Sequence, residues 1–188
     1  GVSSGSAALK VSLVSAGIPR GSEILTTCFT FVASIEAIED AGYVPVLCEI
    51  DESYNISIDD MEKKITPRTR AVLPVHMMGS ACDMERLMTF ANSHGLIVIE
   101  DACQATGATY RGKCLGTFGA FGCFSFDYVK VLTTGEGGMV VTSDTELYHK
   151  ADCYHDHGHP HRTDVGRGFE PRKGKGFNFR MNEIQGAI

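Results

Sequence analysis

Lys130 is the residue whose type and place most readily suggest chemistry. It stands in the stretch 121–142, FGCFSFDYVKVLTTGEGGMVVT, after an apolar and aromatic run from Phe121 to Phe126 that reads as a buried strand. A threonine-glycine turn and a second strand, Met139 to Thr142, follow it. A lysine in a loop just beyond a strand end sits where open α/β sheets bind their ligands. There it can hold a phosphate as a point charge, act as a base if desolvated, or condense with a carbonyl as a Schiff base. A solvated surface lysine fits the same position, so the rest of the chain has to decide.

Three further groups offer complementary chemistry. In HGLIVIEDACQATGATY (residues 94–110) an apolar run, Leu96 to Ile99, ends abruptly in Glu100 and Asp101. Such a run suits a strand covered on both faces, and a carboxylate at its end needs a partner. It can cap the next helix or face a cationic ligand group. Gln104, three residues beyond Asp101, lies close to it if that segment turns helically. In SGSAALKVSLVSAG (residues 4–17) small polar residues lead into an amphipathic helix through Leu9, Leu13 and Val14. Ser4, Gly5, Ser6 and Ala7 therefore stand at a helix N-terminus. Free N–H groups beside short side chains there can hold a phosphate, although a plain serine cap reads the same way. Phe31 follows a strand end and can stack on a flat ligand or join the core; His76, at another strand end, reads as structural. Neither G-x-x-x-x-G-K-[ST] nor G-x-G-x-x-G is present, which counts against a nucleotide-hydrolysing or dinucleotide-binding fold.

Pyridoxal phosphate asks for this combination. Its aldehyde needs a lysine amine, and its ring nitrogen needs a carboxylate that keeps it protonated. Its phosphate needs N–H and hydroxyl donors, Ser125 among them, and its ring needs packing on one face.

The elements that must position these groups alternate along the chain. Strands are expected at Glu23 to Thr27, Val44 to Ile50, up to His76, from Leu96, and at the final pair; helices are expected at Val32 to Asp40, residues 58 to 65 and Asp83 to His94. That makes about six strands plus a truncated one at Gly1, so about seven in a mostly parallel α/β sheet with crossover helices. The connection between the last two strands is too short for a crossover helix, so the last strand should run antiparallel. A hydrophobic fraction of 43% with 21% charged residues is ordinary for a globular domain. The net charge of -6 argues against a nucleic-acid partner, and the only basic cluster, Arg162 to Arg180, also carries Asp164 and Glu170 and reads as a mobile loop. Seven cysteines stand singly with no C-x-x-C pair, the pattern of buried thiols in a reducing compartment such as the cytoplasm and not of a disulfide frame or a structural zinc site. No apolar run approaches the ~20 residues of a membrane span. The chain opens on a strand tail and closes on a helix cut in its second turn, so a fragment of a longer protein is expected.

The segments SSGSAAL, TTCFTFVAS, PVHMMG, IEDACQA, CFSFDYVKVLTTGEGGMVVT and GFNFRMNEIQGAI follow one another across essentially the whole chain. In order and spacing they resemble the DegT/DnrJ/EryC1/StrS family, sugar aminotransferases of the aspartate-aminotransferase fold. That resemblance implies transfer of an amino group from L-glutamate to a keto or aldehydo sugar, in a homodimer with composite sites. By motif, Lys130 resembles the lysine that joins the cofactor and shuttles the proton, and Asp101 the partner of the pyridine nitrogen. Gln104 takes the place beside the ring hydroxyl, often His in relatives, and Phe31 that of the stacking aromatic. Ser6, Ala7 and Ser125 resemble phosphate ligands, and Asn178 the asparagine that reaches the phosphate of the partner subunit. Some members carry histidine for the lysine and dehydrate instead; Lys130 speaks against that branch. A non-catalytic protein that keeps the pocket for sensing is the rival expectation.

Two features depart from the family pattern. Its catalytic chains are longer, so this chain would be the cofactor-binding large domain without the N-terminal segment and the small C-terminal domain. In YHDHGHPHRTD, His155, His157, His159 and His161 alternate, which on an extended segment would put all four on one side as a candidate metal site. No cysteine or carboxylate constellation completes it, so a mobile substrate loop or adventitious metal binding is the expectation, with no metal assigned. This segment and HMMG resemble the branch that aminates an eight-carbon keto sugar acid, whose charge would suit Arg162, Arg167 and Arg172.

Overall fold

The computed structural model describes residues 1–162, 164–166 and 169–188. Among the described residues eight strands run in chain order: β1 (Glu23–Thr27), β2 (Val44–Cys48), β3 (Thr69–Leu73), β4 (Ile97–Asp101), β5 (Thr109–Tyr110), β6 (Lys113–Cys114), β7 (Phe121–Ser125) and β8 (Gly138–Val141). Six of them form one sheet in the order β2-β1-β3-β4-β7-β8, and β5 and β6 pair as a separate small hairpin. Every pairing in the main sheet is parallel except β7 with β8. The antiparallel return has the expected cause: residues 126–137 join the two strands without a helix, and Lys130 lies in that connection. The strand expected at the chain start is only one residue, Val2, bridged to Gly138 and Arg180.

Helices cover both faces. On one side lie α1 (Gly5–Ser15), α2 (Ala33–Asp40) and α5 (Thr145–His155); on the other lie α3 (Ile58–Lys64) and α4 (Met84–Ser93). A short α6 (Glu183–Ala187) closes the chain behind a capping box between Asn182 and Gln185. Strand alternation sorts the core into two layers. Ile24, Leu73, Ile99 and Phe121 point toward α1 and α2, while Leu25, Val72 and Val98 point toward α3 and α4. Leu13 and Leu87, one from each layer, are fully buried, and burial of such a side chain contributes about 1.5–3 kcal/mol.

α5 is not among the elements expected from the sequence. Asp144 caps it by accepting from the Glu146 and Leu147 N–H groups, and Leu147, Ala151 and Tyr154 fall on one face that packs toward α1. The histidine alternation therefore begins inside a helix, at His155, and not on an extended segment. His157 and His161 adopt left-handed backbone angles, φ 54° and 48°, which turn the chain at each. All seven cysteines are free; Cys48, Cys82 and Cys123 are buried, but Cys28 and Cys114 are exposed. Among the described residues no helix is long and apolar enough to cross a membrane.

Candidate active site

The carboxyl ends of β4 and β7 and the first turns of α1 and α2 converge on one cleft. Ser6, Phe31, Asp101, Gln104, Ser125 and Lys130 all line it, so six of the eight expected residues share a wall. Asn178 does not face this cleft. It pairs through its backbone with Asp156, and its side-chain carbonyl accepts from the Arg180 N–H at 3.4 Å. Ala7 is buried beside the cleft, and its N–H donates to the Ser4 hydroxyl at 3.1 Å. Ser4 is thus a helix cap, and the unbonded amides of the first turn are those of Gly5 and Ser6.

The two neighbouring carboxylates of β4 have different fates because successive strand residues point to opposite faces. Glu100 turns away from the cleft and is fully buried. Its Oε2 accepts from His76 Nε2 at 3.1 Å and from the Gly116 N–H at 2.8 Å; its Oε1 accepts from the Phe118 and Gly119 N–H groups at 2.6 and 2.7 Å. His76 Nδ1 accepts from the Cys82 N–H at 3.3 Å, so the ring proton belongs on Nε2, and neutral imidazole donates to the carboxylate. Burial pushes the Glu100 carboxyl upward, but the hydrogen bonds from His76, Gly119 and Gly116 outweigh it and hold the group below its ordinary value. This carboxylate neither caps a helix nor meets a ligand; it fastens the loop that leads into β7.

Asp101 faces the cleft and is 5% exposed. Its Oδ2 accepts from Ser34 Oγ at 2.7 Å and its Oδ1 from the Cys103 N–H at 3.1 Å. Each oxygen keeps acceptor capacity for a further donor. Gln104 sits on the same wall, and its Oε1 accepts from the Met78 N–H at 3.0 Å. That bond fixes the amide so that its NH₂ is the end left for a ligand. Met78 holds its place in a left-handed conformation, φ 53°, in a turn tied down by buried Asn55, whose Oδ1 accepts from the Met77 N–H. Neither Asn55 nor Ser34 was singled out from sequence, since a serine or asparagine in a loop carries no mark of what it will touch.

Lys130 is half-buried, and among the described residues no carboxylate or carbonyl partners its ammonium. Tyr128, Val129, Val131 and Leu132 around it are exposed. Phe31, also at the cleft, is 66% exposed, a large apolar ring outside the core. Cys103, in the cleft wall, has its thiol pushed well above the usual range by burial and by the Asp101 charge, so it is neutral.

The end of the cleft is shaped for an anion. A Cβ added at Gly5 would lie 2.8 Å from Ser125 Cβ and 3.1 Å from its Oγ, so only glycine lets the first turn of α1 lie against that serine. The result is a hydroxyl beside open amides at the positive end of a helix dipole. The residues of the cleft therefore fit pyridoxal phosphate: an amine, a carboxylate, an oriented amide, a free aromatic face and a phosphate cradle.

The histidine segment gathers elsewhere. His161 bridges Asp152 and Asp156 at 2.6 and 2.9 Å, and His159 lies 3.1 Å from Glu170. Among the described residues no group of three or more His, Cys, Asp or Glu is placed to hold a metal.

A cleft at the carboxyl ends of the strands of such a sheet lies where open α/β folds bind their ligands. The chain belongs to the DegT/DnrJ/EryC1/StrS aminotransferase family, whose sequence model matches residues 1–188. Enzymes of this family depend on pyridoxal phosphate. Among its relatives is a GDP-perosamine synthase of Caulobacter vibrioides, 41% identical over 190 residues that cover 98% of this chain and 48% of the relative. An aminotransferase from Psychrobacter cryohalolentis superposes with a TM-score of 0.93 at 39% identity, over 99% of this chain and 49% of that one. The NtdA protein of Bacillus subtilis, solved with bound cofactor PMP, does so with a TM-score of 0.89 at 32% identity, over 99% and 41%. The chain spans about half the length of the curated relatives it matches.

Proposed function

We propose that this chain is the cofactor-bearing large domain of a sugar aminotransferase that moves the amino group of L-glutamate to a keto or aldehydo sugar. The observation that carries the reading is the convergence of Lys130, Asp101 and the Gly5–Ser125 cradle on one cleft. Pyridoxal phosphate, when bound, supplies the electron sink and the carbonyl that carries the amino group between two substrates. Lys130 Nζ would attach the cofactor and move a proton to and from the substrate carbon; among the described residues no ion pair ties it down. Asp101 would hold the proton on the ring nitrogen, and the Gln104 NH₂, left free by the bond from the Met78 N–H, would donate to the ring hydroxyl. Phe31 would cover one face of the ring. Ser6, Ser125 and the first-turn amides of α1 take the phosphate, with the Ala7 N–H shared by Ser4.

Asn178, which lies outside this chain's own cleft, is assigned to the phosphate of a second copy in a homodimer. The exposed Tyr128, Val129, Val131 and Leu132 beside Lys130 suit such a partner, which would exclude water from the reaction. The GDP-perosamine synthase relatives make a nucleotide-linked keto sugar the first substrate class to test. The eight-carbon keto sugar acid is the second, on the resemblance of HDHGH and HMMG. Of the arginines offered to its carboxylate, Arg172 is exposed and Arg162 is paired with Asp164, while Arg167 lies outside the described residues.

Borohydride reduction of the cofactor-loaded full-length enzyme, followed by peptide mass mapping, should place the label on Lys130 alone. Lys130→Ala should carry none and should lose conversion of glutamate to 2-oxoglutarate. A label on another lysine would end the assignment. A correct label with no amine transfer to any keto sugar would favour a sensing protein of the same fold.

A further inference from the structure

Asp101 is not held by β4 alone. Ser34, in the first turn of α2 and 1% exposed, donates its only hydroxyl proton to Asp101 Oδ2 at 2.7 Å. The Ser34 oxygen also lies 2.9 Å from Thr30 Oγ1, a contact in which either hydroxyl can be the donor. The carboxylate can only accept, so the Ser34 proton is committed to it and the Thr30 proton must point at Ser34. The direction of the chain is thereby fixed: Thr30 to Ser34 to Asp101. Both hydroxyls line the cleft, and they flank Phe31 and Ala33 in sequence.

We propose that Ser34 is a positioning residue that sets how Asp101 meets the cofactor's ring nitrogen and ties that carboxylate to the Phe31 loop; this rests on the role given to Asp101 above. A donor at 2.7 Å to a carboxylate is a strong, charge-assisted bond, and both of its partners here are buried. It holds one side-chain rotamer of Asp101, so that the carboxylate is aimed at the place a protonated pyridine nitrogen would take. It also joins two contacts with one planar molecule: the acid at the edge of its ring and the aromatic loop over its face. A shift in the α2 start would then disturb both together.

The test is binding to the full-length apoenzyme, read by fluorescence or calorimetry, of pyridoxamine phosphate and of its analogue with carbon in place of the ring nitrogen. Wild type should prefer the nitrogen compound. Ser34→Ala should lose about tenfold in affinity for pyridoxamine phosphate, about 1.4 kcal/mol, and less than twofold for the carbon analogue. Ser34→Thr, which keeps the hydroxyl, should recover most of the loss. Equal losses on both compounds, or no loss on either, would overturn the inference while leaving Asp101 in its role. If wild type itself fails to distinguish the two compounds, the role of Asp101 falls and the inference with it.

Discussion

Replacing Glu100 by Gln should unfold the protein much more readily than its conservative chemistry suggests. The carboxylate satisfies four donors, two at each oxygen: His76 and Gly116 at one, Phe118 and Gly119 at the other. Glutamine keeps one accepting oxygen and turns an NH₂ toward the other pair. If the NH₂ faces Phe118 and Gly119, two buried amides lose their acceptor. If it faces His76 and Gly116, the ring can change tautomer, but then its Nδ1 proton meets the Cys82 N–H that it now accepts from. Either way two donors are stranded, each at about 1–3 kcal/mol, so the expected loss is about 2–6 kcal/mol. Against a typical domain stability of about 5–15 kcal/mol that is a large share. Urea unfolding followed by circular dichroism should show a lower midpoint with an unchanged slope. The pH dependence gives a second reading. The folded pKa of Glu100 lies below its unfolded value, so its stabilisation is complete above the unfolded value, near 4.5, and is lost as pH falls through the folded one. The gap between wild type and Glu100→Gln should therefore be constant at neutral pH and narrow on acidification. A variant within 0.5 kcal/mol of wild type at pH 7, about the scatter of an ordinary surface change, would refute the four-donor account.

Two further predictions follow from other parts of the molecule. Gly5→Ala drives a methyl to 2.8 Å from Ser125 Cβ, so the first turn of α1 must lift; pyridoxamine phosphate should bind about tenfold more weakly, about 1.4 kcal/mol, while binding of unphosphorylated pyridoxamine is unchanged, and parallel losses on both would remove the phosphate from that end of the cleft. His161, bonded first by Asp156 and also by Asp152, has its pKa raised above 6.5, so its hold on the 157–161 turn is full below that value and lost as pH rises through the folded pKa. Hydrogen exchange there, corrected for intrinsic rates, should quicken as pH rises above 6.5 in wild type and show no such step in His161→Gln; a step retained in the variant would assign the titration elsewhere.

The sheet was legible because its strands are apolar runs with clear ends, and the antiparallel last strand followed from the length of one connection. Lys130 and Asp101 were legible for the same reason: each is a charged residue just past such an end, where topology alone predicts a ligand. What could not be read depends on contacts between segments far apart in sequence. Ser34 is 67 residues from Asp101, and Asn55 is 22 from the turn that it holds. α5 was missed although Asp144 and the spacing of Leu147, Ala151 and Tyr154 announce it, because the histidines at its end drew the reading toward an extended segment. His155 and His161 take their partners from the local acids Asp152 and Asp156, which an alternating pattern cannot foretell, and His159 lies near Glu170.

The adjacency of Glu100 and Asp101 has a consequence for how the cleft can fail. Glu100 binds the amides of residues 116, 118 and 119, and Phe121 opens β7, which pairs with β4 in the register Ile99 to Phe121 through Asp101 to Cys123. The far end of β7 delivers Ser125 to the phosphate cradle, and the connection beyond it carries Lys130. A fault at Glu100 therefore reaches Ser125 and Lys130 through the strand, whereas Asp101, one residue away, reaches the same cleft directly. Glu100→Gln should thus lose cofactor affinity even at temperatures where it remains folded, with the loss growing as denaturant is raised toward its midpoint. Affinity that stayed at the wild-type level up to the unfolding transition would show that β7 keeps its register without the Glu100 clasp.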